Sequence, residues 1–252
     1  YIWNLGTGAS RSGTVTQTYD SIHDISYSSF GKKSISLITI DNNGCQDTVN
    51  KEIEVYDNPK ARITINDSVQ CFQGHSFELY ASSSAAGSGQ TLTTYNWDFG
   101  SGSNKTSTNN DTISDLTYTT AGHKKIRLIV SDGKGCDDTA WFNLFIRENP
   151  VAKITIPTDT QCFNYHSFGF RSSNSTIITN VKRYTWDFGG AKSNTQTNVG
   201  SPSNIAYSSA GRKSISLIIE DNNGCSDTTN ERIWVFENPE AVITNTTADS
   251  LC

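Results

Sequence analysis

Methionine is absent from the 252 residues, proline occurs five times, histidine four times, and charged residues make up only 18%. Long apolar runs are missing too. No stretch approaches the roughly 18 apolar residues that a bilayer-spanning helix needs, so this segment does not insert into a membrane. Glycine has no three-residue period and the apolar residues have no heptads, which excludes collagen and coiled coil. A net charge of −5 lacks the basic face that nucleic acid demands. Without methionine or a leader at its start, the sequence reads as an excerpt of something longer. What is present is polar: 85 residues are Ser, Thr or Asn. Yet 10% aromatics and many Ile and Val supply the core that a disordered chain lacks.

The sequence repeats. Tyr1-Ile-Trp-Asn-Leu-Gly6 returns as Tyr95-Asn-Trp-Asp-Phe-Gly100 and as Tyr184-Thr-Trp-Asp-Phe-Gly189. Asn43-Gly-Cys-Gln-Asp-Thr48 returns as Lys134-Gly-Cys-Asp-Asp-Thr139 and Asn223-Gly-Cys-Ser-Asp-Thr228. Asn58-Pro59, Asn149-Pro150 and Asn238-Pro239 mark one phase, and Cys71, Cys162 and Cys252 mark another. The period of about 90 residues suits one independently cored domain rather than a solenoid turn. Cut at the Asn-Pro marks, 1–57 is a partial domain lacking its first two strands. Residues 58–148 and 149–237 are whole domains, and 238–252 begin a further one.

Alternation predicts strands at 62–66, 76–81, 93–99, 115–119, 125–131 and 140–147 of the middle repeat. Ile126, Leu128 and Val130 share one face, and Gly-containing turns such as Asp132-Gly-Lys-Gly135 separate the strands. No segment has a convincing helical period. About seven short strands in 90 residues specify an all-β chain of tandem Ig-like β-sandwiches. Trp3, Trp97 and Trp186, mid-strand beside apolar neighbours, are expected to pin the cores.

These residues resemble the PKD domain, an Ig-like module. Trp97-Asp-Phe-Gly100, Tyr118, Gly122, the 126–130 strand and Gly135 follow its signature, with counterparts in the other repeats. The chain departs from the family at Gly100-Ser-Gly102 and Gly189-Gly-Ala191, where Gly-Asp-Gly is usual, and at Lys33, Lys124 and Lys213, where an aromatic is usual. The two cysteines per repeat look like PKD repeats of secreted Bacteroidota proteins. Large cell-surface and gliding-motility adhesins exported by type IX secretion carry such repeats.

Six in-phase cysteines in such a chain imply disulfides, and no close Cys pair or His-x₃-His spacing suits zinc. Cys71 precedes the second strand of its sandwich and Cys136 follows the sixth, which runs the same way. At about 3.3 Å per residue the two stand roughly 30 Å apart, against the 4.4–6.8 Å between Cα atoms that a disulfide allows. The expected pairing is interdomain, Cys71 with Cys225, while Cys45, Cys136, Cys162 and Cys252 pair with domains outside this sequence. Intradomain pairing is the competing arrangement. With linkers as short as Asp57-Asn-Pro-Lys-Ala61, interdomain bonds would make the array a braced rod.

Catalytic signatures are missing: there is no Gly-x-Ser-x-Gly elbow, phosphate loop or metalloprotease motif. His75 and His166 share a phase, which points to structure. The chain is therefore read as a non-enzyme without a cofactor. Calcium is the one ion the acidic hairpins suit, with Asp132, Asp137, Asp221 and Asp227 as candidate ligands, although Asp and Asn are also ordinary turn residues. Seven Asp-Ser/Thr-apolar or Asp-Thr-Thr triplets resemble a Bacteroidota O-glycosylation code. They offer Ser21, Thr48, Ser68, Thr112, Thr139, Thr228 and Ser250 as acceptors; alternatively Asp-Thr merely opens the last strand. The resemblance implies a structural segment of an extracellular surface filament or adhesin, used in adhesion or gliding. Its partners would be neighbouring repeats, other filament subunits, surface glycans or outer-membrane proteins. The rival role is a set of accessory domains in a secreted degradative enzyme.

Overall fold

The computed structural model describes residues 1–11, 14–16, 20–106, 108–173, 175–176, 180–191, 195–197 and 199–243. All their regular structure is β. The leading segment forms β1 (Ile2–Asn4), β2 (Thr14–Thr16), β3 (Gly31–Ile40) and β4 (Gln46–Val55), in the sheet order β2-β1-β3-β4. Among the described residues this segment contributes no second layer of its own. Val49 is accordingly 60% exposed, and Trp3, expected in the core, is only half-buried, with no partner for its Nε1 among the described residues.

The middle repeat supplies β5 (Thr64–Ile65), β6 (Val69–Cys71), β7 (Phe77–Tyr80), β8 (Leu92–Asp98), β9 (Thr112–Leu116), β10 (Gly122–Asp132) and β11 (Asp137–Arg147). Two layers result, β5-β7-β9 and β11-β10-β8. Alternation puts Ile126, Leu128 and Val130 of β10 fully inside, with Phe77 and Leu79 of β7, Leu116 of β9 and Trp97 of β8 also buried. The strand expected at 115–119 lies three residues earlier, at β9. Asp115 adopts a left-handed φ of 53°, and Phe77↔Leu116 against Leu79↔Ile113 leaves one residue extra on β9. The resulting bulge lies within β9, and pairing resumes at Leu116.

The last repeat supplies β12 (Thr160–Cys162), β13 (Val181–Asp187), β14 (Thr195–Thr197), β15 (Gly211–Asp221) and β16 (Ser226–Phe236), in the order β12-β16-β15-β13-β14. Short bridges, Val151↔Thr176, Thr155↔Arg171 and Phe168↔Ile205, tie together the opposite strands. The core gathers Phe168, Phe170, Trp186, Phe188, Ile205, Tyr207, Ile215, Leu217, Ile219, Ile233 and Val235. Trp186 is fully buried and donates its Nε1–H to Val199 O at 2.8 Å, as Trp97 does to Asn110 O. Each indole thus fills the core while its one polar group is satisfied.

Packing divides the chain into two compact bodies, Tyr1–Ser68 with Ser76–Phe145, and Val69–His75 with Ile146–Cys252. Residues 69–75 therefore belong to the middle repeat by sequence and to the last by packing.

Candidate functional site

The β15–β16 hairpin, Asp221-Asn-Asn-Gly-Cys225, is built by its aspartate. Asp221 Oδ1 accepts the N–H groups of Asn223 and Cys225, both at 2.9 Å, and Gly224 takes the positive φ of 83° that closes the turn. Asp132 binds Lys134 and Cys136 in the same way, and Asp41 binds Asn43 and Cys45. Cys225 is thereby fixed at the hairpin tip, 0% exposed.

Its partner arrives on β6. Cys71 and Cys225 form a disulfide with Cα atoms 5.5 Å apart and 154 residues between them in sequence. Strand direction explains the meeting. In the last repeat β12 runs parallel to β16, with Cys162 opposite Phe236, so this cysteine ends beside the segment that leaves the domain. Phe72 N–H bonds Arg147 O at 2.8 Å as Phe163 N–H bonds Phe236 O, which puts Cys71 beside its own exit segment. The hairpin cysteine lies at the other end of its strand pair, so the exit of one repeat meets the hairpin of the next.

Asn149, which sequence reading treats only as a phase marker, fastens this arrangement. Its Oδ1 accepts Gln73 N–H at 2.8 Å, and its Nδ2 donates to Ser226 O at 2.7 Å. One amide thus holds residues on both flanks of the disulfide. Cys45 and Cys162 are exposed and Cys136 is half-buried, all with free thiols. Cys252 and Ser250 lie outside the described residues.

The acidic candidates take part in backbone hydrogen bonds. Besides the hairpin bonds of Asp132 and Asp221, Asp227 Oδ2 accepts Ala152 N–H at 2.8 Å, and Asp138 does the same for Ala61. Asp137 is exposed on β11. Among the described residues no three His, Cys, Asp or Glu side chains gather as a metal site. Of the acceptor hydroxyls, Ser21, Thr48, Thr112, Thr139 and Thr228 are exposed and Ser68 is half-buried.

His166 is a strut. Its Nε2 accepts Tyr207 N–H at 2.7 Å, so Nδ1 carries the proton and donates to Phe163 O at 2.6 Å. His75 makes the corresponding contact to Phe72 O. A further element recurs at Tyr27, Tyr118 and Tyr207, whose hydroxyls donate to Leu5 O, Phe99 O and Phe188 O at 2.8–2.9 Å. Lys33, Lys124 and Lys213 lie over those rings at 5.2–5.6 Å from the centroids, so a cation covers each tyrosine. Burial, helped by the charge of Asp98, pushes the Tyr118 hydroxyl up to about 12. Burial, with Asp187, raises Tyr207 too. The half-exposed Trp141 carries Lys125 Nζ 4.2 Å from its ring, and Trp234 carries Arg212 at 5.9 Å. No helix among the described residues is long and apolar enough to cross a membrane.

Repeated sandwiches of about 90 residues, each with a buried Trp, an Asp-closed Gly-Cys hairpin and a Tyr tied to the strand before it, define a tandem Ig-like β protein. The PKD domain profile matches residues 56–146 and 147–235, and the chain belongs to that family. The PKD1 domain of Vibrio cholerae metalloprotease PrtV is similar at 30% identity, covering 35% of this chain and 98% of that one, with a TM-score of 0.29. The PKD1 domain of Vibrio anguillarum Epp is similar at 26%, covering 36% and 96%, with a TM-score of 0.30. An ice-binding, Ca²⁺-stabilized adhesin of an Antarctic bacterium aligns at 12% identity over 96% of this chain and 66% of that one, with a TM-score of 0.39. No curated protein sequence matches the chain.

Proposed function

We propose that this chain is a structural repeat segment of an extracellular surface filament or adhesin, its domains stapled to one another so that the array transmits force during adhesion or gliding. The observation that carries the reading is the Cys71–Cys225 bond, which links residues of two successive family matches. A short linker alone leaves domains free to separate under load, whereas a covalent staple reinforced by Asn149 makes the load pass through the bond. The exposed Thr48, Thr139 and Thr228 would carry O-linked sugars that shield the strand beside each hairpin from proteases. Antibodies against residues 58–237 test the reading on the native source. Labelling of fibres on intact cells is expected. Label confined to a soluble secreted fraction that co-purifies with hydrolase activity overturns it in favour of accessory domains.

A further inference from the structure

A rung of the same phase crosses the sheet in each repeat. In the leading segment Asn4 on β1 pairs with Ser36 on β3, which pairs with Asn50 on β4. In the last repeat Asp187 on β13 pairs with Ser216 on β15, which pairs with Asn230 on β16. In the middle repeat Asp98 on β8 pairs with Arg127 on β10. Trp141 on β11 holds the place of Asn50 and Asn230, five residues past the hairpin cysteine. Two residues before Arg127, Lys125 stands where the other repeats have Ser34 and Ser214. A small neutral set has thus become two cations and an indole.

These side chains meet. Lys125 and Arg127 alternate with the buried Ile126 and Leu128, so both face away from the core. Lys125 Nζ lies 4.2 Å and Arg127 Cζ 5.7 Å from the centroid of the Trp141 ring, yet Trp141 is 54% exposed. The ion pair of Arg127 with Asp98 runs through Nη2 at 3.4 Å, while Nε, shielded from solvent, meets no acceptor among the described residues. Among those residues Lys125 has no carboxylate partner. Lys125 and Arg127 against Asp98 leave the patch at +1, in a chain of net charge −5. Trp234 differs in kind. Its contact with Arg212 repeats, in phase, that of Phe145 with His123, as a structural pair does.

We propose that Trp141, Lys125 and Arg127 form a binding site for an acidic glycan, taken one uronic acid residue at a time. The apolar face of the pyranose ring covers the exposed indole, and its carboxylate bridges the ammonium and the guanidinium fork. Charge selects this partner. A neutral glycan is served by the Asp, Ser and Asn that the last repeat keeps on the same rung, and gains nothing from two cations. A stable protein interface needs about 800 Å² on each side, whereas Trp141 is flanked along β11 by the exposed, polar Thr139 and Asn143. The inference gives the adhesin reading a ligand, and rests on that reading only for where the glycan is met.

The test titrates the full chain, ¹⁵N-labelled in its indoles, with a mannuronate hexasaccharide, the mannose hexasaccharide of the same linkage, and hexaglutamate. Calorimetry gives the affinities, and Trp141→Phe assigns the Trp141 signal. Mannuronate is expected to shift that signal and leave the other indoles in place, with binding weakened by added salt. Lys125→Ser, Arg127→Ser and Trp141→Asn each install what the other repeats carry, so the fold tolerates them. The first two should each weaken binding about tenfold, the weight of one charge-assisted hydrogen bond, and the third should abolish it. Equal binding of the mannose hexasaccharide, equal binding of hexaglutamate, unchanged affinity in both serine variants, or an unmoved Trp141 signal at millimolar mannuronate overturns the inference. The wild-type signal decides even where a variant misfolds. Titration measures the purified chain and antibody labelling locates it on cells. Absent binding therefore leaves the filament reading standing, and label confined to a soluble fraction leaves the glycan site standing.

Discussion

Replacing Cys71 by Ser opens a loop that the native bond holds closed over 154 residues. Cys71 is only half-buried, and Cys225 left behind as a thiol behaves as a small apolar side chain in its fully buried position, so the change adds little packing damage. The loss comes chiefly from the unfolded ensemble. For a loop of 154 residues the chain-entropy relation gives about 17 cal/mol/K, or about 5 kcal/mol at 25 °C. Guanidinium unfolding followed by Trp fluorescence should show oxidised wild type as the most stable form. Reduced wild type and Cys71→Ser should coincide below it, and reductant should leave Cys71→Ser unchanged. A second readout needs no thermodynamic model. Pulled from its termini, the oxidised chain hides the 154 enclosed residues, about 500–550 Å of contour at 3.3–3.6 Å each, which Cys71→Ser releases. A Cys71→Ser variant within about 1 kcal/mol of oxidised wild type, with the same contour length, would refute the reasoning.

Gly189→Ala should cost well over 1 kcal/mol, because φ is +61° and the new Cβ runs into the backbone oxygen of Ser214. Gly211→Ala, at φ +106° with nothing within 4 Å, carries backbone strain alone; equal falls in Tm for the two would contradict this account. Tyr165→Gly removes a left-handed non-glycine residue and should raise stability by roughly 0.5–1 kcal/mol, and a lower Tm would show that the exposed ring holds the turn. Tyr118 titrates near 10 when unfolded and near 12 in the fold, so its neutral hydroxyl stabilises the protein below pH 10 and that contribution is lost as pH rises from 10 to 12. Denaturation of wild type and Tyr118→Phe at pH 8 and pH 11 should show the gap between them shrinking, whereas a constant gap would be wrong for a buried phenol.

Local signals made much of this architecture legible. The 90-residue period, the alternation of Ile126, Leu128 and Val130, and the Trp-Asp-Phe-Gly strand each depend on neighbours two to five residues away, which is the range over which strand and turn preferences act. The strand expected at 115–119 lies at 112–116 with a bulge at the left-handed Asp115; Asp and Asn tolerate that conformation, and the in-phase Asp24 and Asn204 share it, but the register against β7 is set by a partner strand far away in sequence. Trp3 shows the other limit: its motif matches Trp97 and Trp186, but burial depends on a facing layer, and the described leading segment has one sheet.

By itself, then, the sequence determined the class of fold, the roughly 90-residue size of the repeats and the phase of the cysteines. The tertiary structure decided how Cys71 and Cys225 are brought together. The parallel pairing of β12 with β16 turns a three-residue segment into an exit-side cysteine, and the Asn149 amide bonds Gln73, 76 residues back, and Ser226, 77 residues on. The sequence marks the phase of Asn149 but not its partners, because they depend on where two strands end in space rather than on what stands beside a residue in the chain. For the same reason, that Asp132 Oδ1 and Asp221 Oδ1 accept backbone N–H groups is seen only once the turns are closed.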